Sequence, residues 1–446
     1  MKKDKVLIVG AGLCGTLLAL RMAQRGYNVE LREKRGDIRA AEFVGGRSIN
    51  LALSDRGLKS LRMVGMEDQI LEECIPMNGR MIHGVDGALR LSNYSGRTGE
   101  YINSVSRGGL NVALLEKADE FDNLTVKFDS SCLNVDLETG TAHFKNLDGT
   151  TEIVTADVVI GTDGAGSSVR RSMMGRTTDL LFNYSQDFLR TGYKELEIPA
   201  AENGDFRIEK NALHIWPRGH FMMIALPNLD GSFTVTMFHP YEGEAGFNTL
   251  NTPEKVQAFF EKYYPDSLEH LPNLVETYFE NPVGPLGTIK CYPWQAFGKV
   301  VIMGDAAHAV VPFYGQGMNA SFEDVRIFDE MVDAHEGDWA TILDKFQESR
   351  VENGNAIGDL AKQNEYEMRE KVADPMFIKK RGLEMRLEQE YPTYYSKYSL
   401  VTFNGNIPYS EAMRLGKLQD EALLELCENV AEPSLEEALA IVSAIK

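Results

Sequence analysis

Near the start of the chain an apolar run, Val6-Leu7-Ile8-Val9, passes directly into Gly10-Ala11-Gly12-Leu13-Cys14-Gly15 and then into a helical pattern from Thr16 to Gln24. A strand, a glycine turn and a helix in that order leave few folds open, because this spacing builds a cradle for a dinucleotide pyrophosphate. Gly10 allows the tight turn, Gly12 lets the backbone approach the phosphates, and Gly15 lets helix and strand pack closely. The anion then lies at a helix N-terminus, where free N–H groups and the positive dipole end favour negative charge. Glu33 ends the next apolar strand, Val29 to Leu31, at about the ~20-residue distance of a carboxylate that takes a ribose hydroxyl.

Two later segments repeat the theme. Ala156 to Ile160 reads as a buried strand leading into Gly161-Thr162-Asp163-Gly164. An Asp-Gly pair often makes a hairpin turn, but the polar Ser167-Ser168-Val169-Arg170-Arg171 that follows is a poor partner strand. Lys299 to Met303 leads in the same way into Gly304-Asp305-Ala306-Ala307-His308, and Pro312-Phe313-Tyr314-Gly315-Gln316-Gly317-Met318-Asn319 opens another helix. A carboxylate at a strand's end accepts hydrogen bonds from sugar-chain hydroxyls, and glycines at a helix start let N–H groups face a ring carbonyl. Together the three segments describe one grip on a non-covalent FAD.

A chain of 446 residues exceeds the ~250–300 residues at which single cores stop growing, so more than one lobe is expected. The scattered motifs make the FAD-binding domain discontinuous, over 1–70, 100–175 and 290–350. A substrate domain is expected from 71–99 and 176–289, where Phe221 to Leu226 and Ser232 to Phe238 alternate around Pro227-Asn228-Leu229-Asp230-Gly231 and predict a hairpin in an antiparallel sheet. Residues 351–446 turn charged and helical, as in Glu367-Met368-Arg369-Glu370-Lys371, and are expected to close the substrate pocket. The predicted class is α/β: a Rossmann-like FAD domain, an antiparallel substrate sheet and a C-terminal helical region.

A net charge of −20 argues against nucleic acid or an anionic membrane as partner, since both need a basic surface. No stretch approaches the ~18 apolar residues of a spanning helix and no signal peptide precedes the first strand, so the expected location is cytoplasmic. Cys14, Cys74, Cys132, Cys291 and Cys427 lack CxxC pairing, and the eight histidines lack ligand spacing. Neither a disulfide framework nor a metal site is expected.

In order and spacing the three motifs resemble those of the class A flavoprotein monooxygenases, with the para-hydroxybenzoate hydroxylase fold, over about the first 350 residues. Gly46-Arg47-Ser48-Ile49-Asn50-Leu51-Ala52-Leu53-Ser54, Gly79-Arg80-Met81-Ile82-His83, Ser104-Val105-Ser106-Arg107, His214-Ile215-Trp216-Pro217-Arg218-Gly219, Ala225 to Phe233 and Tyr398 to Phe403 narrow the resemblance to the kynurenine 3-monooxygenase family. That resemblance implies hydroxylation of L-kynurenine to 3-hydroxy-L-kynurenine with NAD(P)H and O2, NADPH being the expected donor, in tryptophan degradation. It also implies a C4a-hydroperoxide on the flavin, whose distal oxygen attacks the electron-rich ring. The single fingerprint at Gly10 fits a nicotinamide that visits transiently. The substrate's own amine activates the ortho carbon, so no classical acid or base is expected. A homodimer is compatible with this reading.

By the same resemblance Arg80 and Tyr94 hold the substrate carboxylate, a guanidinium fork and a phenol being suited to it. Asn364 and Tyr398 approach from the C-terminal part. Leu213, Met222, Ile224, Phe238, Pro312, Tyr314, His308 and Met368 are expected to line the pocket. The expected cofactor contacts are Gly10, Gly12, Leu13, Gly15, Glu33, Arg47, Arg107, Asp163, Gly304, Asp305, Gly315, Gln316, Gly317, Met318 and Asn319. Tyr314 departs from the Phe that the family commonly has before its Gly-Gln-Gly turn. Eukaryotic relatives carry a C-terminal membrane segment, whereas 404–446 here are polar. A flavin hydroxylase of another aromatic acid would share every FAD motif and differ only at Arg80, Tyr94, Asn364 and Tyr398.

Overall fold

The glycine turn at Gly10 joins the strand Lys5–Val9 to the helix Leu13–Gln24, and the next strand, Asn28–Arg32, pairs parallel with the first. The computed structural model describes residues 3–40, 50–371 and 374–445. Val158–Gly161 pairs parallel with the other side of Lys5–Val9, and Val300–Ile302 pairs parallel with Val158–Gly161. The loops after Val9, Gly161 and Ile302 therefore leave the same end of three adjacent strands, where open α/β sheets bind their ligands. Asp163-Gly164 follows a parallel strand and makes no hairpin. Leu124–Lys127 and the short Gln295–Ala296 complete a six-stranded sheet. Val6, Leu7 and Ile8 are buried, as are Val158 to Ile160 and Val300 to Ile302, which parallel strands covered on both faces require.

The antiparallel part is larger than one hairpin. Its seven strands lie in the order Gly284–Tyr292, Asn183–Ile198, Phe233–Pro240, Met222–Pro227, Ala212–Pro217, Gly79–His83 and Leu89–Asn93. Ile224 stands opposite Thr236 and Leu226 opposite Thr234, while Leu213 registers with Arg80 in the one parallel pairing. Alternation puts Arg80, Leu213, Ile224, Leu226, Thr234, Thr236 and Phe238 on one face. The other face, with Trp216, Met223, Ala225, Val235 and Met237, packs against the helices Pro253–Tyr263 and Leu274–Glu280. One face is thus sealed by its own core, and the opposite face is left for a cavity.

Trp339–Glu370 is one helix of 32 residues that runs unbroken through residue 350, where the composition changes. The change marks a new packing partner: Ile342, Leu343 and Phe346 belong to the core of the six-stranded sheet, whereas Ala356, Ile357 and Leu360 belong to a core shared with Tyr314, Val401 and Tyr409. The helices Pro375–Glu390, Lys397–Thr402, Tyr409–Asn429 and Leu435–Ser443 follow. Asp374 starts the first of them by accepting the N–H groups of Met376 and Phe377, with Pro375 at the first helical position. Among the described residues no helix is long and apolar enough to cross a membrane.

Candidate active site

One continuous cavity of about 740 Å³ runs from Glu33 to Tyr398 between the two large sheets. At its first end Glu33 is buried, its Oε2 accepting the Ala11 N–H at 2.9 Å and its Oε1 the Arg35 Nε–H at 2.8 Å. Burial pushes this carboxyl up, but the Arg35 and Ala11 bonds outweigh it and hold the group below the usual range. Glu33 is therefore an anion at neutral pH. A Cβ at Gly10, where φ is +105°, would fall 2.7 Å from the Asp163 Cα, and one at Gly15 would fall 1.9 Å from the Gly10 carbonyl oxygen. At Gly12 a Cβ would meet no protein atom within 4 Å. Gly10 and Gly15 are thus dictated by packing between turn, helix and the Asp163 loop, and Gly12 by space kept open to the cavity.

The Leu13–Gln24 helix has neither a side-chain cap nor an acidic residue in its first turn, and Gly12 and Leu13 line the cavity. The 18-residue helix Gly317–Ala334 repeats this arrangement, with Gly315, Gly317 and Met318 on the wall. Two helix N-termini with free N–H groups therefore open on one space. Between them the exposed Asp305 lines the wall, and Arg107 lines it from the start of the helix Arg107–Ala118. Asp163 also lines it, but its carboxylate accepts the Ser168 N–H at 2.6 Å and caps the next helix. Burial raises the Asp163 pKa, and that bond only partly offsets the rise. An anionic carboxylate, two open helix N-termini and the gap at Gly12 fit FAD.

At the far end the Arg80 guanidinium lies 4.9 Å from the ring centre of Tyr398 and 5.6 Å from that of Tyr94. Tyr398 is stacked between Tyr94, at 5.3 Å, and Tyr314, at 5.5 Å. Burial pushes all three phenols up, so they are neutral at physiological pH. The Arg80 Nε is buried without a hydrogen-bond partner, no described carboxylate pairs with Arg80, and the Tyr314 hydroxyl is equally unpartnered. A desolvated guanidinium beside neutral rings is a receptor for a ligand's anion. Leu213, Ile224, Phe238, Pro312 and Met368 complete the walls, and no described histidine is among them.

Other expected site residues stand behind this wall. His308 is a correction: it is 2% exposed, its Nε2 lies 2.6 Å from Asp324 Oδ2 and its ring stacks on Trp294. It ends the turn that Asp305 begins and faces the opposite way, into the core. Asn364 donates to the Phe313 carbonyl at 2.6 Å and so braces the loop that carries Tyr314. Met222 packs in the core beside Phe238. Asn319 accepts the Ser54 N–H and donates to the carbonyls of Ala52 and Gly315, which clamps the glycine turn. Gln316 accepts the Tyr409 hydroxyl at 3.0 Å, and the Gly304 N–H donates to Asp324 at 2.9 Å. Arg47 lies outside the described residues.

The family described as FAD binding domain matches residues 3–359. The kynurenine 3-monooxygenase of Myxococcus xanthus is 43% identical over 432 residues, covering 96% of this chain and 92% of its own. That of Dictyostelium discoideum is 44% identical over 434 residues, covering 94% and 92%, and that of Sus scrofa is 42% identical, covering 93% and 86%. The chain belongs to the kynurenine 3-monooxygenase family. Among solved structures, 2-methyl-3-hydroxypyridine-5-carboxylic acid oxygenase superposes with a TM-score of 0.68 at 20% identity, over 89% of this chain and 99% of its own. Tetracycline destructase Tet(51) does so with a TM-score of 0.60 at 16% identity, over 88% and 99%. At those identities the likeness concerns the fold alone, a flavoprotein hydroxylase fold that takes FAD.

Sequence reasoning missed several residues on the wall. Leu226, Thr234 and Thr236 line the cavity and follow from the period of two that selects Ile224 and Phe238. Cys132, Arg171 and Tyr193 also line it, and no local pattern marks them. Beneath the Gly317 helix, Arg350 bonds Glu323 at 2.7 Å and Asp324 at 2.8 Å, and Arg56 bonds Glu323 at 2.6 Å. Burial would push Asp324 up, yet His308 and Arg350 hold it at about 2.

Proposed function

We propose that this chain hydroxylates L-kynurenine at ring position 3, consuming one NADPH, one proton and one O2 and releasing NADP+ and water. The observation that carries the reading is one continuous cavity in which Arg80, with its Nε unpartnered, faces the same space as the open N-terminus of the Gly317–Ala334 helix. In this reading the Arg80 fork and the Tyr94 hydroxyl bind the substrate carboxylate. Leu213, Ile224, Phe238, Pro312 and Met368 enclose the aromatic ring and exclude water. Glu33 accepts a ribose hydroxyl, and Gly12 admits the pyrophosphate to the first helix N-terminus. Asp305 accepts from the sugar chain, and the N–H groups at Gly315 to Met318 stabilise negative charge on the ring carbonyl.

FAD supplies the electron-transfer and oxygen-transfer chemistry once bound. The chain's own task is to hold the ring carbon beside it and keep solvent out. No proton is taken up by a side chain at the substrate end, where Arg80 and three neutral tyrosines are the polar groups. The test is oxygen consumed against 3-hydroxy-L-kynurenine formed, with NADPH and L-kynurenine. A ratio near one supports the reading. Oxygen consumption without hydroxylated product refutes it.

A further inference from the structure

A second cavity of about 300 Å³ lies behind the substrate anchor, and Arg80, Tyr94 and Tyr398 line both. Its rim is at the surface, with Leu91 50% and Ile378 38% exposed and Gly382 exposed beside them. Its floor is buried and charged. There Lys380 bonds Glu384 at 3.1 Å and Asp420 at 2.6 Å, Lys397 bonds Glu367 at 3.2 Å and Asp420 at 2.5 Å, and Arg381 bonds Glu384 at 3.3 Å. These three cations and three carboxylates neutralise one another. Arg80 at the inner end of the funnel forms no ion pair among the described residues and its Nε has no partner, while Arg90 adds a further cation on the exposed rim.

Two physical arguments give this space a task. A guanidinium with no ion pair and an unpartnered Nε favours an incoming carboxylate, and the mixed charges of the floor suit an amino-acid head carrying both signs. A dinucleotide lying from Glu33 to Met318 would occupy the other end of the main cavity, and the second cavity offers Arg80 a separate approach from the surface. We propose that the second cavity is an antechamber through which the amino-acid substrate reaches Arg80 from the C-terminal side, its carboxylate passing the Tyr94–Tyr398 pair. The proposal rests on the L-kynurenine reading above.

Gly382 allows a direct test, because a Cβ placed there meets no atom within 4 Å. Gly382→Trp plugs the mouth, and Gly382→Ala controls for the change of helix propensity. L-kynurenine is mixed with the oxidised holoenzyme in a stopped-flow instrument, and binding is followed by the change in flavin absorbance. In Gly382→Trp the association and dissociation rate constants both fall at least about tenfold while Kd stays within about threefold, because a blocked path slows both directions equally. Gly382→Ala keeps the parent rates. An unchanged association rate in the Trp variant, or a weakened Kd with unchanged association, overturns the antechamber. Leu91→Trp on the opposite rim carries the same expectation should Gly382→Trp not fold. If the parent itself fails to bind L-kynurenine, the functional reading has failed instead, and that is seen before any plug is tested.

Discussion

Replacing Arg80 by Met keeps most of the side-chain length and its apolar stem but removes a guanidinium that forms no ion pair among the described residues. In the ligand-free protein its Nε is buried without a partner and no described carboxylate forms an ion pair with it, while Tyr398, Tyr94 and, at longer range, Glu367 favour the charge. A bidentate carboxylate contact makes two charge-assisted bonds at about 1.5–3 kcal/mol each, so about 3–6 kcal/mol is the ceiling for what the variant loses. Water admitted to the smaller side chain's space recovers part of this. The expected weakening of L-kynurenine binding is about a hundredfold, or ~2.8 kcal/mol at 1.4 kcal/mol per tenfold. Burial disfavours the Arg80 cation in the empty protein, but Tyr398, Tyr94 and Glu367 outweigh it, so the ligand-free variant melts no higher than the parent. Titration of flavin absorbance with L-kynurenine gives the first quantity, and thermal melts with and without ligand give the second. Decarboxylated kynurenine binds parent and variant alike. Binding of L-kynurenine within about threefold of the parent refutes the anchor, and loss of FAD from the variant makes Arg80 structural.

The two glycines of the first turn separate packing from ligand space: Gly12→Ala keeps the apoprotein's melting temperature while FAD affinity falls at least about tenfold, whereas Gly15→Ala, whose Cβ meets the Gly10 carbonyl at 1.9 Å, lowers the melt itself by several degrees. Melts of the apoproteins and fluorescence titration with FAD read both. Asp324 sits at about 2 in the folded protein against ~3.9 unfolded, so it contributes ~2.6 kcal/mol that is fully present above about pH 4 and is lost as pH falls through its folded value. Urea denaturation from pH 5 to pH 2 shows that slope, and Asp324→Asn flattens it while lowering stability at neutral pH, Arg350 keeping Glu323 as its remaining partner. Tyr314→Phe removes a buried hydroxyl with no partner, so the empty protein gains about 1–3 kcal/mol in denaturant melts; a loss of stability instead shows that the hydroxyl is satisfied in the ligand-free state.

The parallel sheet and its three loops were legible from the chain because each signal is local. A buried strand followed by Gly10 to Gly15, Asp163-Gly164 or Gly304-Asp305 carries its own punctuation, and parallel strands between helices have to be apolar throughout. The hairpin of Met222–Pro227 with Phe233–Pro240 was legible for the same reason, from a period of two around a turn. Residue 350 was harder. A change from apolar to charged composition looks like a boundary, but a helix continues wherever its hydrogen bonds do, and Trp339–Glu370 simply changes the core it packs against.

His308, Asn364 and Asn319 show where local signals end. Adjacency to a motif says that a side chain is near the site; which way it points is set by partners far off in the chain. Asp324 turns His308 inward, the Phe313 carbonyl holds Asn364, and Ser54 and Ala52 hold Asn319. By itself the sequence determined the strands that lead into the cofactor loops, the need for glycine at positions 10, 12 and 15, and the residue types able to hold a dinucleotide and a carboxylate. Only the tertiary structure decided that the rings of Tyr94, Tyr398 and Tyr314, drawn from three distant segments, form one stack with Arg80 beside it. It also decided that Arg80 forms no ion pair among the described residues and keeps an unpartnered Nε, because charge balance in a buried site is a sum over neighbours that chain order does not encode.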